Sequence, residues 1–206
     1  MTRVIAGAAG GRRLAVPPGT STRPTSDRAR EGLFASVLSE LGSLDGKRVL
    51  DLYAGSGAIG LEALSRGAAH VLLVESDARA SAVIKANIAA VGIAGATVIT
   101  DRAERLLARP PSTADRYDLV FADPPYAMTA AAVTRALMLL AAGWLARDAL
   151  IVIERATRSG PLEWPPGYLP GKSRRYGEAT FWYGWYGSGV VAGQTAQTGL
   201  LPGHEE

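Results

Sequence analysis

Residues 49–62 read Val49-Leu50-Asp51-Leu52-Tyr53-Ala54-Gly55-Ser56-Gly57-Ala58-Ile59-Gly60-Leu61-Glu62. A short apolar run ends at an aspartate, a glycine-rich turn follows, and a helical pattern begins. This is how a parallel strand hands over to a helix in a doubly wound α/β sheet, where ligands sit outside the carboxyl ends of the strands. Gly55 and Gly57 remove Cβ atoms, so a ligand can lie against the backbone. The amides at the helix start attract negative groups. The run matches G-x-G-x-x-G, a fingerprint that by itself also fits a dinucleotide site. Asp51, four residues before Gly55, is close enough to meet a cationic ligand group.

Working outward from this turn, strand patterns fall at 48–52, 71–75, 97–100, 117–122 and 150–154. Helical patterns lie between them at 59–66, 78–91, 103–108 and 130–140. Strands alternating with helices predict βαβ units and a parallel sheet. The strands are short and nearly continuous in apolar residues, as expected when both faces are covered. Upstream, β-like patterns at 3–6 and 12–16 flank Gly7-Ala8-Ala9-Gly10-Gly11 and predict a small hairpin. Thr25, Ser26 or Asp27 caps a helix whose apolar face is Ala29, Leu33, Phe34, Val37, Leu38 and Leu41, and Gly42 stops it. Downstream, four prolines make 158–171 a loop, and 173–176 with 180–186 form a closing antiparallel pair. The expected organisation is a hairpin extension over 1–20, one α/β domain over 21–186 and a flexible Gly-, Gln- and Thr-containing tail over 187–206.

Composition narrows the functional classes. The 206 residues suit one such domain with small additions, 48% hydrophobic and 20% charged. Cysteine is absent, which excludes disulfides, a thiol nucleophile and a thiolate zinc site. The two histidines, His70 and His204, are far apart, so no metal is expected. There is no signal-like h-region and no apolar run long enough to span a bilayer, so a cytoplasmic protein without a membrane partner is expected. Residues 1–30 hold six arginines against Asp27 alone, a local charge of +5. That front end points to a polyanionic partner, although a solvated arginine surface would look the same.

Acidic residues at the strand ends carry the next inference. Glu75 ends the second core strand 20 residues after Gly55, a spacing that suits an acid gripping ribose hydroxyls. Asp101 follows the third strand and is placed to accept from an adenine amino group, with Arg102 beside it. Both would also serve simply as helix caps. A nucleoside bearing a cationic amino-acid arm would use Asp51 and the glycines at one end, Glu75 at the ribose and Asp101 at the base.

Asp123-Pro124-Pro125-Tyr126 follows the fourth core strand, 68 residues after Gly55. An exocyclic amine on a nucleobase is a poor nucleophile, because its lone pair is delocalised into the ring. Two acceptors gripping its N–H bonds would favour a pyramidal nitrogen. Asp123 supplies one, and the Pro124 carbonyl, held extended by Pro125, supplies the other. Tyr126 offers a flat face for the base. Catalysis would then be positioning and electrostatics. A plain proline turn is the alternative reading, and it leaves unexplained both the strand-end position and the following aromatic. Together the two motifs resemble an S-adenosylmethionine-dependent methyltransferase that acts on amino groups.

The resemblance extends over about residues 3–186. Ile5-Ala6-Gly7, Gly11-Arg12-Arg13-Leu14 and Arg23-Pro24-Thr25-Ser26-Asp27-Arg28-Ala29-Arg30-Glu31-Gly32-Leu33-Phe34 are similar to the N-terminal signature of the bacterial 16S ribosomal RNA guanine-N2 methyltransferases. It implies a Rossmann-like class I methyltransferase fold with a seven-stranded sheet, an S-adenosylmethionine donor and a guanine N2 acceptor in 16S ribosomal RNA of the assembling or assembled 30S subunit. By motif match, the donor site is expected from Asp51, Tyr53, Ala54, Gly55, Gly57, Glu75, Ser76, Asp101, Arg102, Ala103 and Asp123. Asp123, Pro124, Pro125 and Tyr126 are the expected catalytic residues. Arg12, Arg13, Arg23, Arg28, Lys172, Arg174 and Arg175 are the expected RNA contacts, and Thr25 shares the signature. Three rivals stay open: a DNA amino-methyltransferase acting on adenine N6 or cytosine N4, an NAD-dependent oxidoreductase, and a non-catalytic ribosome-assembly factor.

Overall fold

The computed structural model describes residues 2–18, 26–109, 111 and 116–187. The elements run β1 (Thr2–Arg3), β2 (Arg13–Leu14), α1 (Asp27–Leu41), β3 (Arg48–Leu52), α2 (Ala58–Ser65), β4 (His70–Glu75), α3 (Ala78–Val91), β5 (Ala96–Thr100), α4 (Ala103–Leu107), β6 (Tyr117–Ala122), α5 (Ala130–Ala141), β7 (Leu145–Ala156), a 3₁₀ turn (Thr157–Ser159), β8 (Tyr168–Tyr176) and β9 (Ala179–Tyr186). Seven strands form one sheet in the order β5-β4-β3-β6-β7-β9-β8. The first five are parallel, and β9 and β8 close the edge antiparallel. Strand order reverses between β3 and β6, which makes their carboxyl ends the topological switch point.

Two apolar layers sandwich the sheet. On one face Leu33, Phe34 and Val37 of α1, Ala63 and Leu64 of α2 and Ile84 of α3 pack on Val49, Leu73, Phe121 and Val152. On the other, α4 and α5 pack on Leu50, Leu72, Val120 and Ile151. Alternation along each strand assigns neighbours to opposite faces, so the continuous apolar runs in the sequence reflect burial on both. The Ser26 hydroxyl accepts from Ala29 N at 3.2 Å and is the cap of α1. Thr25, the other hydroxyl considered for that role, lies outside the described residues.

The hairpin ladder is shorter than expected, pairing Thr2 with Leu14 and Arg3 with Arg13 and ending where Val4 N donates to Arg12 O at 2.9 Å, and it is clamped onto the domain. Both Glu62 carboxylate oxygens accept backbone N–H groups, from Ile5 at 2.6 Å and Ala6 at 3.0 Å. Asn87 exchanges hydrogen bonds with the backbone of Ala15. Val4, Ala9 and Leu14 pack against Leu61 and Val91. The expected loop at 158–171 is also shorter, because β8 already begins at Tyr168. Pro170 is tolerated there because β8 is the sheet edge and its register shifts between Pro170 and Ser173. Except for Gly187, the expected tail over 187–206 lies outside the described residues.

Candidate active site

The register of the sheet brings the strand-end acids together. Leu73, Asp51, Phe121 and Val152 lie side by side across β4, β3, β6 and β7. Two residues on from Leu73, Phe121 and Val152 stand Glu75, Asp123 and Glu154, while Tyr53, just past the end of β3 at φ 61°, packs on the other face with the α4 and α5 layer. Asp51 therefore sits one row deeper than the acids around it. It is only 3% exposed, and its Oδ2 accepts from Gly60 N at 2.9 Å. Burial, with Glu75 nearby, pushes its carboxyl up to about 7. It supports the turn from beneath, through Gly60 N.

A cleft of about 370 Å³ opens above this row. Gly55, Tyr53 and Glu75 form one wall, Asp123, Pro124, Pro125 and Tyr126 another, and Ser76, Asp77, Arg79 and Ala80 the floor at the start of α3, with Pro17 and Pro18 at the rim. Asp123 N donates to Leu52 O at 3.4 Å, which continues the β3–β6 ladder and seats the second motif beside the glycine turn. Gly55 has φ +56°, and a Cβ added there would meet nothing within 4 Å, since it would project into open space. The glycine keeps that space free for a ligand. Gly60 serves a different purpose, because a Cβ there would press on Val71 and Leu73 at 2.8 and 2.9 Å. Tyr53 is held at φ 61°, a costly conformation for a bulky residue, with its hydroxyl donating to Glu104 at 2.7 Å.

Glu75 is anchored by accepting from Gly55 N at 2.9 Å and Asp77 N at 2.8 Å. Oε1 also accepts from the Ser76 hydroxyl at 3.4 Å, and Oε2 keeps a second lone pair for a ligand hydroxyl. Across the cleft Asp123 behaves differently. Burial, the neighbouring Glu154 and the deeper Asp51 raise its carboxyl well above the usual range. Glu154 is 7% exposed and was not singled out from the sequence. The available signal was its position, since the strand expected over 150–154 ends on it, although β7 runs on to Ala156. Tyr126 is 52% exposed for so large an aromatic.

The other expected site residues have their own surroundings. Asp101 is held by Arg105 Nε at 2.6 Å, Arg109 Nη2 at 3.3 Å and Arg102 N at 2.7 Å, and Arg105 keeps its carboxyl below the ordinary range. With Arg102 it lines an adjoining cavity that shares Ser76 and Asp77 with the main cleft. Ala54, Gly57 and Ala103 are buried behind the turn and at the start of α4. Lys172 pairs with Glu40 at 2.7 Å. The basic front end is thinner than its composition implied. Arg30 is 1% exposed and joins α1 to the hairpin through Thr2, Arg3 and Asp27. Arg3 pairs with Asp27, and Arg12 donates to Ala90 O at 2.6 Å. Arg13, Arg28, Arg174 and Arg175 are exposed; Arg23 lies outside the described residues. Among those residues no cluster of acids and histidines could hold a metal ion, and no helix is long and apolar enough to cross a membrane.

A doubly wound sheet of this order, with a glycine turn and an Asp-Pro-Pro-Tyr loop facing each other at its switch point, defines a Rossmann-like methyltransferase. The family model described as conserved hypothetical protein 95 matches residues 2–185. Ribosomal RNA small subunit methyltransferase D of Escherichia coli is 38% identical over 169 residues, covering 79% of this chain and 80% of that protein. Its Haemophilus influenzae counterpart is 33% identical over 87% of this chain and 91% of that one. Among solved structures, the candidate methyltransferase yhhF of Escherichia coli superposes with TM-score 0.77 at 32% identity, covering 91% of this chain and 98% of that one. The chain belongs to this family of ribosomal RNA small subunit methyltransferases.

Proposed function

We propose that this protein transfers the methyl group of S-adenosylmethionine to the exocyclic N2 amine of a specific guanine in 16S ribosomal RNA, within the assembling or assembled 30S subunit. One observation carries the reading: Gly55, Glu75 and the Asp123–Tyr126 loop line a single cleft. The residues fit the donor, with open space over Gly55 and ribose acceptors on Glu75. When bound, the donor supplies an electrophilic methyl on a sulfonium and departs as a neutral thioether.

The chain's own work is on the acceptor. The guanine leaves its stack at a cost of a few kcal/mol and lies against the exposed ring of Tyr126. Asp123 and the Pro124 carbonyl grip the two N–H bonds of N2, which turns its lone pair toward the methyl. A C–N bond forms as the C–S bond breaks, with that electron pair leaving on sulfur. The methylated nitrogen then loses a proton to Asp123 or to water. Asp123 suits proton acceptance, because burial and Glu154 make it more basic than an ordinary carboxylate.

The test is donor-dependent labelling of small subunits from cells that lack the modification, with protein-free 16S RNA and duplex DNA as parallel substrates. Mass spectrometry of the digested RNA should place one methyl on guanine N2. Label on DNA alone, or on another atom, overturns the reading.

A further inference from the structure

The Asp-Pro-Pro-Tyr loop does not explain why guanine is chosen. Asp123 and the Pro124 carbonyl grip an NH2 group, and adenine and cytosine carry one too. Something else must read the ring. Beyond Tyr126, on the side away from Gly55, lies a second cavity of about 300 Å³ whose lining includes Arg158, Arg175 and Glu178, within the usual size range of small-ligand sites. Tyr126 lines both cavities, so a base stacked on it would reach from one into the other.

The cavity is built by local structure. Thr157 N donates to Glu178 O at 2.7 Å, and the Thr157 and Thr180 hydroxyls meet at 2.9 Å. These bonds clasp the 3₁₀ turn after β7 to the β8–β9 turn. Arg175 Nε donates to Gly177 O at 2.9 Å, which aligns its guanidinium with that turn. Arg158, Arg175 and Glu178 are all exposed, and among the described residues none of them is in an ion pair. Burial, then Glu154, Asp123 and Glu178, raise the pKa of the Tyr126 hydroxyl, and Arg158 lowers it.

This donor and acceptor set matches one base. From N2, guanine's edge continues to N1–H, a donor, and then to O6, an acceptor beside N7. A carboxylate is acceptor-only and a guanidinium donor-only. Adenine reverses both positions, presenting a lone pair at N1 and an amino group at C6. Resting on the proposed function, we propose that this cavity is the guanine-reading subsite, with Glu178 accepting from N1–H and Arg158 or Arg175 donating to O6 and N7. A reader of this kind works as much by rejection as by attraction.

The test uses small subunits reconstituted with 16S RNA carrying guanine or 2,6-diaminopurine at the methylated position. Diaminopurine keeps the 2-amino group and reverses the N1 and C6 positions. Wild type should prefer guanine by about 100-fold or more in kcat/KM. Glu178→Gln, which offers both a donor and an acceptor, should shrink that ratio at least about tenfold, and Arg158→Ala with Arg175→Ala should shrink it further, all with unchanged donor affinity by titration calorimetry. An unchanged ratio in Glu178→Gln and Glu178→Ala overturns this inference and leaves the proposed reaction standing. Wild type that labels no guanine N2 removes both.

Discussion

The two walls of the cleft handle negative charge in opposite ways. On the wall of the glycine turn every acid is already bound by backbone N–H groups: Asp51 by Gly60, Glu75 by Gly55 and Asp77, and Asp77 by Ala80. On the facing wall, among the described residues, no backbone amide donates to the Asp123 carboxylate, which instead confronts Glu154 and rises well above the usual range. The first wall is preorganised and rigid, suited to hold a ligand that arrives the same way each time. On the second, burial and the neighbouring acid disfavour the charged carboxylate, and an incoming amine and a nearby cation would favour it, which favours the reacting arrangement over the resting one.

Separating the two walls gives the largest expected effect. Asp123→Ala should lower methyl transfer by about 10²–10⁴-fold and leave donor affinity within about threefold by calorimetry; wild-type turnover would end the contrast. Glu75→Ala should do the reverse, weakening donor binding by about 10–100-fold, because one side chain both lines the cleft and holds Gly55 N.

Asp51 lends itself to a stability test. Its folded carboxyl is raised from 3.8 to about 7. The folded chain therefore holds a proton that the unfolded chain releases, and stability should fall as pH rises from about 4 to about 7, then level off. Asp51→Asn keeps an acceptor for Gly60 N and should flatten that dependence, by at most about 4 kcal/mol. Denaturant titrations across this pH range would show it, and an unchanged slope would mean Asp51 is ionised in the folded chain.

Glu154→Gln should have a smaller effect. If Asp123 must be ionised, activity is lost as pH falls through its raised pKa, at a higher pH than an ordinary carboxylate would give. Removing the Glu154 charge should move that acidic limb of kcat/KM to lower pH with little change at the plateau. The smallest effect belongs to the hairpin. Arg13→Ala should reduce the log–log salt slope of subunit binding by about one. Arg12→Ala should also loosen the hairpin, because Arg12 is tied to Ala90 O.

How far the sequence could be read follows from particular residues. The strand, turn and helix around Gly55 were legible because periodicity and glycine placement are local properties. The Asp123–Tyr126 motif was legible because its chemistry needs those residue types next to one another. Glu154 was not, since an acid at a strand end looks the same whether it faces solvent or another acid. Arg30 misled in the other direction. Its charge counted toward a basic surface, but the hairpin buries it.

By itself the chain's order of residues determined the alternating α/β pattern, the two motifs and the chemistry each could perform. Only the tertiary structure decided that the motifs share a cleft, that Asp51 lies one row beneath it and that Glu154 crowds Asp123. The reason is register: hydrogen-bonded pairing across β4, β3, β6 and β7 sets the depth of every acid, and depth decides whether a carboxylate meets a ligand, an amide or another carboxylate.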